Sequence, residues 1–529
     1  MERSCVQLED LPDEILLIIF QNLYNCDVLY SFLGLNTRLD TILNDRIFTR
    51  NLTLIKPIHS SSYEFTDIIL DRFCLEILPR INDKIERLNI ESSFMERILL
   101  ATNYPNLHTL GLYGFVAETG GEVFYEESYL IHRFQNQISS LFIQLKPHKP
   151  IPGASGFAVQ DINIFIFINI CNHFKNLRYL NFSSSSIYEQ LAFYRPTSTN
   201  FSSNLLELHV VVKTIYDCLC LLDGQLNQLH TFYVTIRPRG VHGEEIVGND
   251  KKLLNLKCFS LIHEDEIDMY DYILVPLFQR MTNLEKLSLY FVNICEPIID
   301  GEDLEKNIIN HMPRLNEFTF NICSIICPHL ADQPINLPSN DDIQHTFRNF
   351  QNSQIISSVY YFNSNYFYCH IYSYPYTWIF YHNIRNNFPG GLFKCVREIS
   401  LLDERPFEHD FLLRIAQSFP SIKKLTLENH EPQQNNHLQW PIIRYSHLIQ
   451  IDLARTHEDY IEEFLNNTKI CLLSNVHLRV SYGRLKKVTD NFTRDATRIN
   501  CSKISRLVVL GYTTNLSKLK DYFPHAKIC

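Results

Sequence analysis

One apolar phrase recurs along this chain and limits what it can fold into. Three apolar residues fall at positions one, four and six of a six-residue window. The phrase appears as Ile85-x-x-Leu88-x-Ile90, Leu107-x-x-Leu110-x-Leu112, Ile138-x-x-Leu141-x-Ile143 and Leu177-x-x-Leu180-x-Phe182, and it continues to Ile504-x-x-Leu507-x-Val509. There are fourteen such units, mostly 22 to 31 residues apart. The last two apolar positions of each unit stand two apart, the period of a strand with a buried face. Helical stretches lead into several of these strands, for example Ile168 to Phe174, Leu304 to Met312 and Leu413 to Phe419. Some close on a proline that stops the helix, as in Tyr104-Pro105, Met312-Pro313 and Phe419-Pro420. A unit of this size cannot bury its own apolar face, so the units must stack.

Two architectures satisfy this pattern: an ordinary alternating α/β sheet and a solenoid. The number and regularity of the units favour the second. The phrase resembles the leucine-rich repeat, and a spacing near 26 residues with intervening helices is similar to the intracellular, ribonuclease-inhibitor-like type. The repeats are degenerate. The Asn or Cys that closes such a repeat is nearly absent, with Cys323 the one clean case. On a concave sheet face the residues between the apolar ones point outward, and Tyr113, Tyr179, Tyr233 and Tyr290 are the candidate target-binding residues there.

The start of the chain is of another kind. Leu11-Pro12-Asp13-Glu14 opens a helix, with proline in the first turn and two acids against the positive end of the dipole. Six apolar residues follow without a break, Ile15 to Phe20. That helix is apolar almost all round, and some fifty residues hold too little core to cover it.

Leu11-Pro12-x-Glu14-Ile15-Leu16-x-x-Ile19-Phe20-x-x-Leu23, then Asp27-Val28-Leu29 and Phe32 to Leu39, resembles an F-box over about residues 7 to 50. The resemblance implies docking on the Skp adaptor of a cullin–RING ubiquitin ligase, with a recognition domain for a protein target downstream. It assigns adaptor contacts to Leu11, Pro12, Ile15, Leu16, Ile19, Phe20, Leu23, Leu35 and Leu39, some of which must pack inside instead. The chain departs from the family in having no Trp near Arg38–Asp40.

The repeat register breaks between Phe320 and Val396. A polar loop, Pro328 to Asp342, precedes an aromatic-dense stretch, Val359 to His382, with Asn363-Ser364-Asn365 as its turn. High β propensity predicts an antiparallel hairpin or a three-stranded insert. Tyr374, Tyr376 and Trp378 are further candidates for target contact, since such side chains give large contact area at low entropy cost.

The expected fold is therefore α/β. A small all-α F-box module (1–50) is followed by linker and capping elements (51–84), a degenerate leucine-rich-repeat solenoid (85–320 and 396–529) and an aromatic-rich β insertion (321–395).

Composition bounds the function. A net charge of −10 over 529 residues argues against general nucleic-acid binding, which needs basic surface. Fifteen scattered cysteines without Cys-x-x-Cys read as reduced thiols of a cytoplasmic or nuclear protein. Glu9, Asp10, Asp13 and Glu14 precede any long apolar run, so no signal peptide is expected, and no run is long enough to span a membrane. Phosphate-loop, nucleophile-elbow and His-Glu-x-x-His motifs are absent. The expectation is a non-catalytic receptor without cofactor or metal, bound to a Skp-type adaptor and to a protein target. The alternative is a repeat scaffold or inhibitor with a vestigial F-box.

Overall fold

The computed structural model describes residues 8–55, 66–115, 123–146, 156–184, 190–193, 204–223, 226–237, 251–268, 270–294, 298–327, 337–350, 354–362, 366–434, 441–512 and 516–529. The Asn363–Asn365 turn and most of the polar loop before it lie outside these residues. Ser339 to Asp342 are described: Ser339 caps a helix, Asn340–Thr346, through a reciprocal bond with Asp342, where a loop was expected.

Four helices open the described chain: α1 (Asp13–Gln21), α2 (Asn25–Phe32), α3 (Thr37–Leu43) and α4 (Arg46–Thr49). Pro12 starts α1, its carbonyl accepting from the Ile15 and Leu16 amides at 3.1 Å. Gly34, at φ +88°, makes the left-handed turn that lets the chain enter α3, and the Asn36 side chain accepts from the Leu39 amide at 2.8 Å to cap that helix.

The apolar triplets land on strands. A first sheet takes twelve: β1 (Asn51–Leu54), β2 (Arg87–Glu91), β3 (Thr109–Phe115), β4 (Ser140–Leu145), β5 (Tyr179–Ser184), β6 (Glu207–Val212), β7 (Thr231–Ile236), β8 (Cys258–Ile267), β9 (Lys286–Ile294), β10 (Glu317–Ile326), β11 (Gln354–Phe362) and β12 (Tyr366–Tyr374). They lie in chain order up to β10, then β12 and β11. β1 to β8 pair in parallel, while β10 with β12 and β12 with β11 are antiparallel.

The remaining strands are β13 (Phe380–Ile384), β14 (Glu398–Leu402), β15 (Lys424–Asn429), β16 (Ile443–Arg444), β17 (Gln450–Thr456), β18 (Ile470–Cys471), β19 (Val476–Ser481), β20 (Ile504–Leu510) and β21 (Lys527–Ile528). Seven of them form a second sheet, β13-β14-β15-β17-β19-β20-β21, parallel throughout; β16 and β18 pair separately. Contacts divide the chain into two compact units: 1–292 with 304–318, and 293–303 with 319–529.

This is a mixed α/β protein, and it overturns the expected architecture on two points. The chain is not a leucine-rich-repeat solenoid. A solenoid is one stack in which each unit meets only like neighbours. Here the chain-order progression ends at β10, which takes the antiparallel β12 as its next neighbour, and the later triplets build a different sheet. The triplet specifies a half-buried parallel strand and nothing about the continuity of the stack.

Nor do the first fifty residues form a separate all-α F-box module. β1 follows α4 at once, as a strand of the large sheet. The Asn25 side chain donates to the carbonyls of Ile47 (3.1 Å) and Asn51 (3.4 Å), and Lys84 Nζ reaches the Asn44 carbonyl at 3.1 Å. The physical reason is the one that made the opening helix conspicuous: a module this small lacks core, so Val28, Leu29 and Phe48 share theirs with Leu52 and Leu54 of β1, all fully buried.

Candidate functional site

α1 has two flanks of opposite character. Leu16 and Phe20, four residues apart, are fully buried, and Phe20 packs on Phe32 and Phe48 with ring centroids 4.9 and 6.3 Å away. Ile15, Ile18 and Ile19, with Leu23 just past the helix, lie along the other flank at helical spacing and are 42, 57, 37 and 50 % exposed. Pro12, Tyr24, Leu35 and Ile47 are exposed as well. Arg38, from α3, donates to the Leu11 carbonyl at 2.5 Å and to Asp13 at 2.7 Å, so the entry to α1 is held against α3.

Of the expected adaptor contacts, the structure leaves Pro12, Ile15, Ile19, Leu23 and Leu35 accessible and Leu11 half-buried; Leu16, Phe20 and Leu39 are core. Ile18 joins the accessible ones unexpectedly, although its place one turn from Ile15 was readable from helical periodicity.

The second surface is a row of rings on one face of the large sheet. His209 and Tyr233 stand opposite each other on β6 and β7, centroids 4.3 Å apart and 12° from parallel. Tyr179 is 5.2 Å from His209, Phe142 is 4.8 Å from Tyr179, and the Arg87 guanidinium lies over Phe142 at 5.8 Å. Glu207 holds His209 Nε2 at 2.7 Å. Tyr113 belongs to the same face: a Cβ on Gly111 would come within 2.8 Å of its ring.

His209 and Tyr233 stack face to face, while Tyr179 is tilted 38° to His209 and Phe142 37° to Tyr179. Partial burial raises the Tyr113 and Tyr179 phenols and pushes Tyr233 up to about 12. They are neutral hydrogen-bonding groups across the physiological range. Tyr290 does not join them; it is 6 % exposed.

The three expected contacts near the cis Tyr374–Pro375 peptide divide. Tyr374 is exposed, Trp378 half-buried and Tyr376 buried. Tyr376 works inside: Asn321 Nδ2 donates to its hydroxyl at 2.7 Å, and the hydroxyl donates to the Phe380 carbonyl at 2.8 Å. His370 Nε2 donates to the other end of the same Asn321 amide at 2.8 Å. Its ring packs against Tyr372 and Tyr381, and Tyr376, Phe388, Phe393 and Phe419 continue the cluster.

The described cysteines carry no disulfide. Burial pushes the Cys26 thiol up to about 11 and holds Cys218, Cys369 and Cys501 higher still, so these are not thiolates. Among the described residues no group of three His, Cys, Asp or Glu side chains could hold a metal ion, and no helix is long and apolar enough to cross a membrane. What the two surfaces can do chemically is bury aliphatic area and exchange neutral hydrogen bonds. Comparison with protein-family models returns no match, and comparison with curated protein sequences returns none either.

Proposed function

We propose that this chain is a non-catalytic substrate-recognition subunit of a Skp–cullin–F-box type ubiquitin ligase. The exposed flank of α1 docks the Skp-type adaptor, and the α/β body holds a protein target. The observation that carries this reading is the aliphatic flank itself. Ile15, Ile18, Ile19 and Leu23 stand in one stripe, on a helix already buried on its other side. Contiguous apolar surface of this kind marks an interaction site. The F-box-like order of residues 11 to 39 supports the adaptor as its occupant. The chain's contribution is proximity, which makes the encounter of target and ubiquitin-charged enzyme effectively intramolecular. Such a role places it in the cytoplasm or nucleus.

The experiment is capture of adaptor by the full chain, compared with Ile15→Asp combined with Ile19→Asp. The parent should capture a Skp-type adaptor and the double variant should not. Equal capture by both, or none by the parent, ends the reading. One sequence fact favours a second reading, a protein-binding scaffold or inhibitor outside any ligase: the lack of Trp near Arg38–Asp40.

A further inference from the structure

β11 is the last strand of the twelve-stranded sheet, paired along one side with β12 from Gln354–Tyr374 to Phe362–Tyr366. Its other side faces the helix Asn340–Thr346 for part of its length. Gln344 Nε2 donates to the Ile355 carbonyl at 3.1 Å, and Ser357 Oγ donates to Gln344 Oε1 at 2.9 Å and to Asn340 Oδ1 at 3.0 Å. The Gln344 carboxamide thus stands where a neighbouring strand would offer its N–H.

Peptide groups of an extended strand alternate sides residue by residue. With the Ile355 carbonyl turned outward, the N–H and C=O groups of Ser357, Val359 and Tyr361 turn outward too. Asn387 Nδ2 donates to the Ser358 hydroxyl at 3.2 Å, and beyond Ser357 no backbone hydrogen bond closes this edge among the described residues. Tyr361, 58 % exposed and packed on Phe367 at 5.4 Å, sits at the open end.

The sequence of β11, QIISSVYYF, carries no charge and no proline. Natural edge strands are normally blunted by lysine, proline or a bulge. Among the described residues this one is blunted over its first half by Gln344 and left open over its second.

We infer that the open edge of β11, Ser358 to Phe362, accepts an extended, uncharged segment of the protein target as an added strand. The inference rests on the proposed recognition role and specifies how the target is held. Backbone hydrogen bonds supply the affinity in such strand addition, and alternate side chains supply the selectivity. The free length argues for a short segment and against a second copy of this chain. Four or five residues span about 15 Å at roughly 3.4 Å each. Two such edges paired together bury far less than the roughly 1,200 Å² at which stable interfaces begin. The uncharged edge, flanked by Tyr361 and Tyr366, favours apolar and aromatic side chains.

The test uses the full chain. Nonapeptides are selected from a random displayed library, synthesised, and titrated by fluorescence anisotropy. We expect binding that falls at least tenfold when alternate peptide amides are N-methylated, and at least tenfold in Val359→Pro, which removes an outward N–H. Binding should be unchanged in the Ile15→Asp, Ile19→Asp double variant. In the parent, the Val359 and Tyr361 amides should exchange with deuterium quickly alone and at least tenfold more slowly with peptide.

Selected peptides indifferent to N-methylation, no protection at those two amides, or recovery of no binder overturns the inference. The methylation and exchange arms need no variant, so they decide even if Val359→Pro does not fold. Peptide binding with no adaptor capture would keep the edge site and remove the ligase reading; adaptor capture with no peptide binding would do the reverse.

Discussion

Glu463 lies in the helix Glu458–Leu465 with 1 % of its side chain exposed, and His409 Nδ1 meets its carboxylate at 2.5 Å. The other imidazole nitrogen, Nε2, is 3.0 Å from the Pro441 carbonyl, which can only accept, so Nε2 carries a proton. A further proton lies between Nδ1 and Oε1. Lys469 Nζ reaches the same carboxylate at 3.1 Å. Glu463→Ala removes a charge-assisted hydrogen bond worth about 1.5–3 kcal/mol. It also leaves a cavity and an unpaired imidazole, and losing one partner of a buried pair typically costs about 3–5 kcal/mol in all. Lys469 is 27 % exposed and can turn toward water, which puts the expected loss near the lower end, about 3 kcal/mol. Glu463→Gln should cost much less, about 1 kcal/mol, because its amide can donate to the unprotonated Nδ1 of a neutral imidazole whose Nε2 keeps its bond. Both tryptophans of the chain, Trp378 and Trp440, fall in the second unit, so their fluorescence during urea unfolding follows that unit selectively. With an m value of about 2 kcal/mol/M, the alanine variant should lower the midpoint by about 1.5 M. A cycle with His409→Ala should show coupling above about 1.5 kcal/mol. A loss below about 1 kcal/mol for Glu463→Ala, or equal losses for Ala and Gln, would refute the reasoning.

Three other outcomes follow from the geometry. Phe20→Ala should destabilise the first unit by about 3–5 kcal/mol, whereas the Ile15→Asp, Ile19→Asp pair, on an exposed flank, should stay within about 1 kcal/mol of the parent; thermal unfolding separates them, and equal losses would show that the two flanks of α1 have been misassigned. Burial pushes His370 down to about 4 from its ordinary 6.5, so the folded chain stays neutral there while the unfolded chain takes a proton. Stability should therefore fall as pH drops from 6.5 to about 4 and level off below, by at most about 3 kcal/mol. His370→Gln, which can still donate to Asn321, should flatten that part of the curve, and an unchanged slope would exclude His370 as its source. Gly301→Ala would bring a Cβ within 2.4 Å of the Thr346 backbone carbonyl. It should cost about 2–3 kcal/mol by overpacking and loosen the helix Asn340–Thr346, read as faster hydrogen exchange there.

Local alternation was readable. Leu208 and Val210, Leu287 and Leu289, Leu425 and Leu427 all lie on strands and are buried, as a period of two requires. The aromatic stretch holds the antiparallel strands β11 and β12, since β propensity is also a local property. What could not be read was long-range. Nothing in the Leu315-x-x-Phe318-x-Phe320 triplet says that β10 will take β12 as its neighbour instead of the next triplet's strand, because both candidates are equally apolar. At the candidate sites the same limit applies. Tyr290 follows the last apolar residue of its triplet just as Tyr113 does, yet is buried, because alternation fixes the face of a strand and not what lies over that face. Leu16 and Ile15 are adjacent and alike in character, and only the positions of Phe32 and Phe48 against Phe20 decide which flank of the helix turns inward.

The sharing of core between the opening helices and β1 makes the start of this chain a poor place to cut. Removing residues up to Arg50 would strip the cover from Leu52 and Leu54, both at 0 % exposure, on the first strand of a twelve-stranded sheet. A shortened chain would then fail in binding assays for lack of a sound body as much as for lack of α1. By the same coupling, a molecule that grips the exposed isoleucines holds the first strands of the sheet as well. Its arrival should register as raised melting temperature of the first unit, growing with the logarithm of ligand concentration over its dissociation constant.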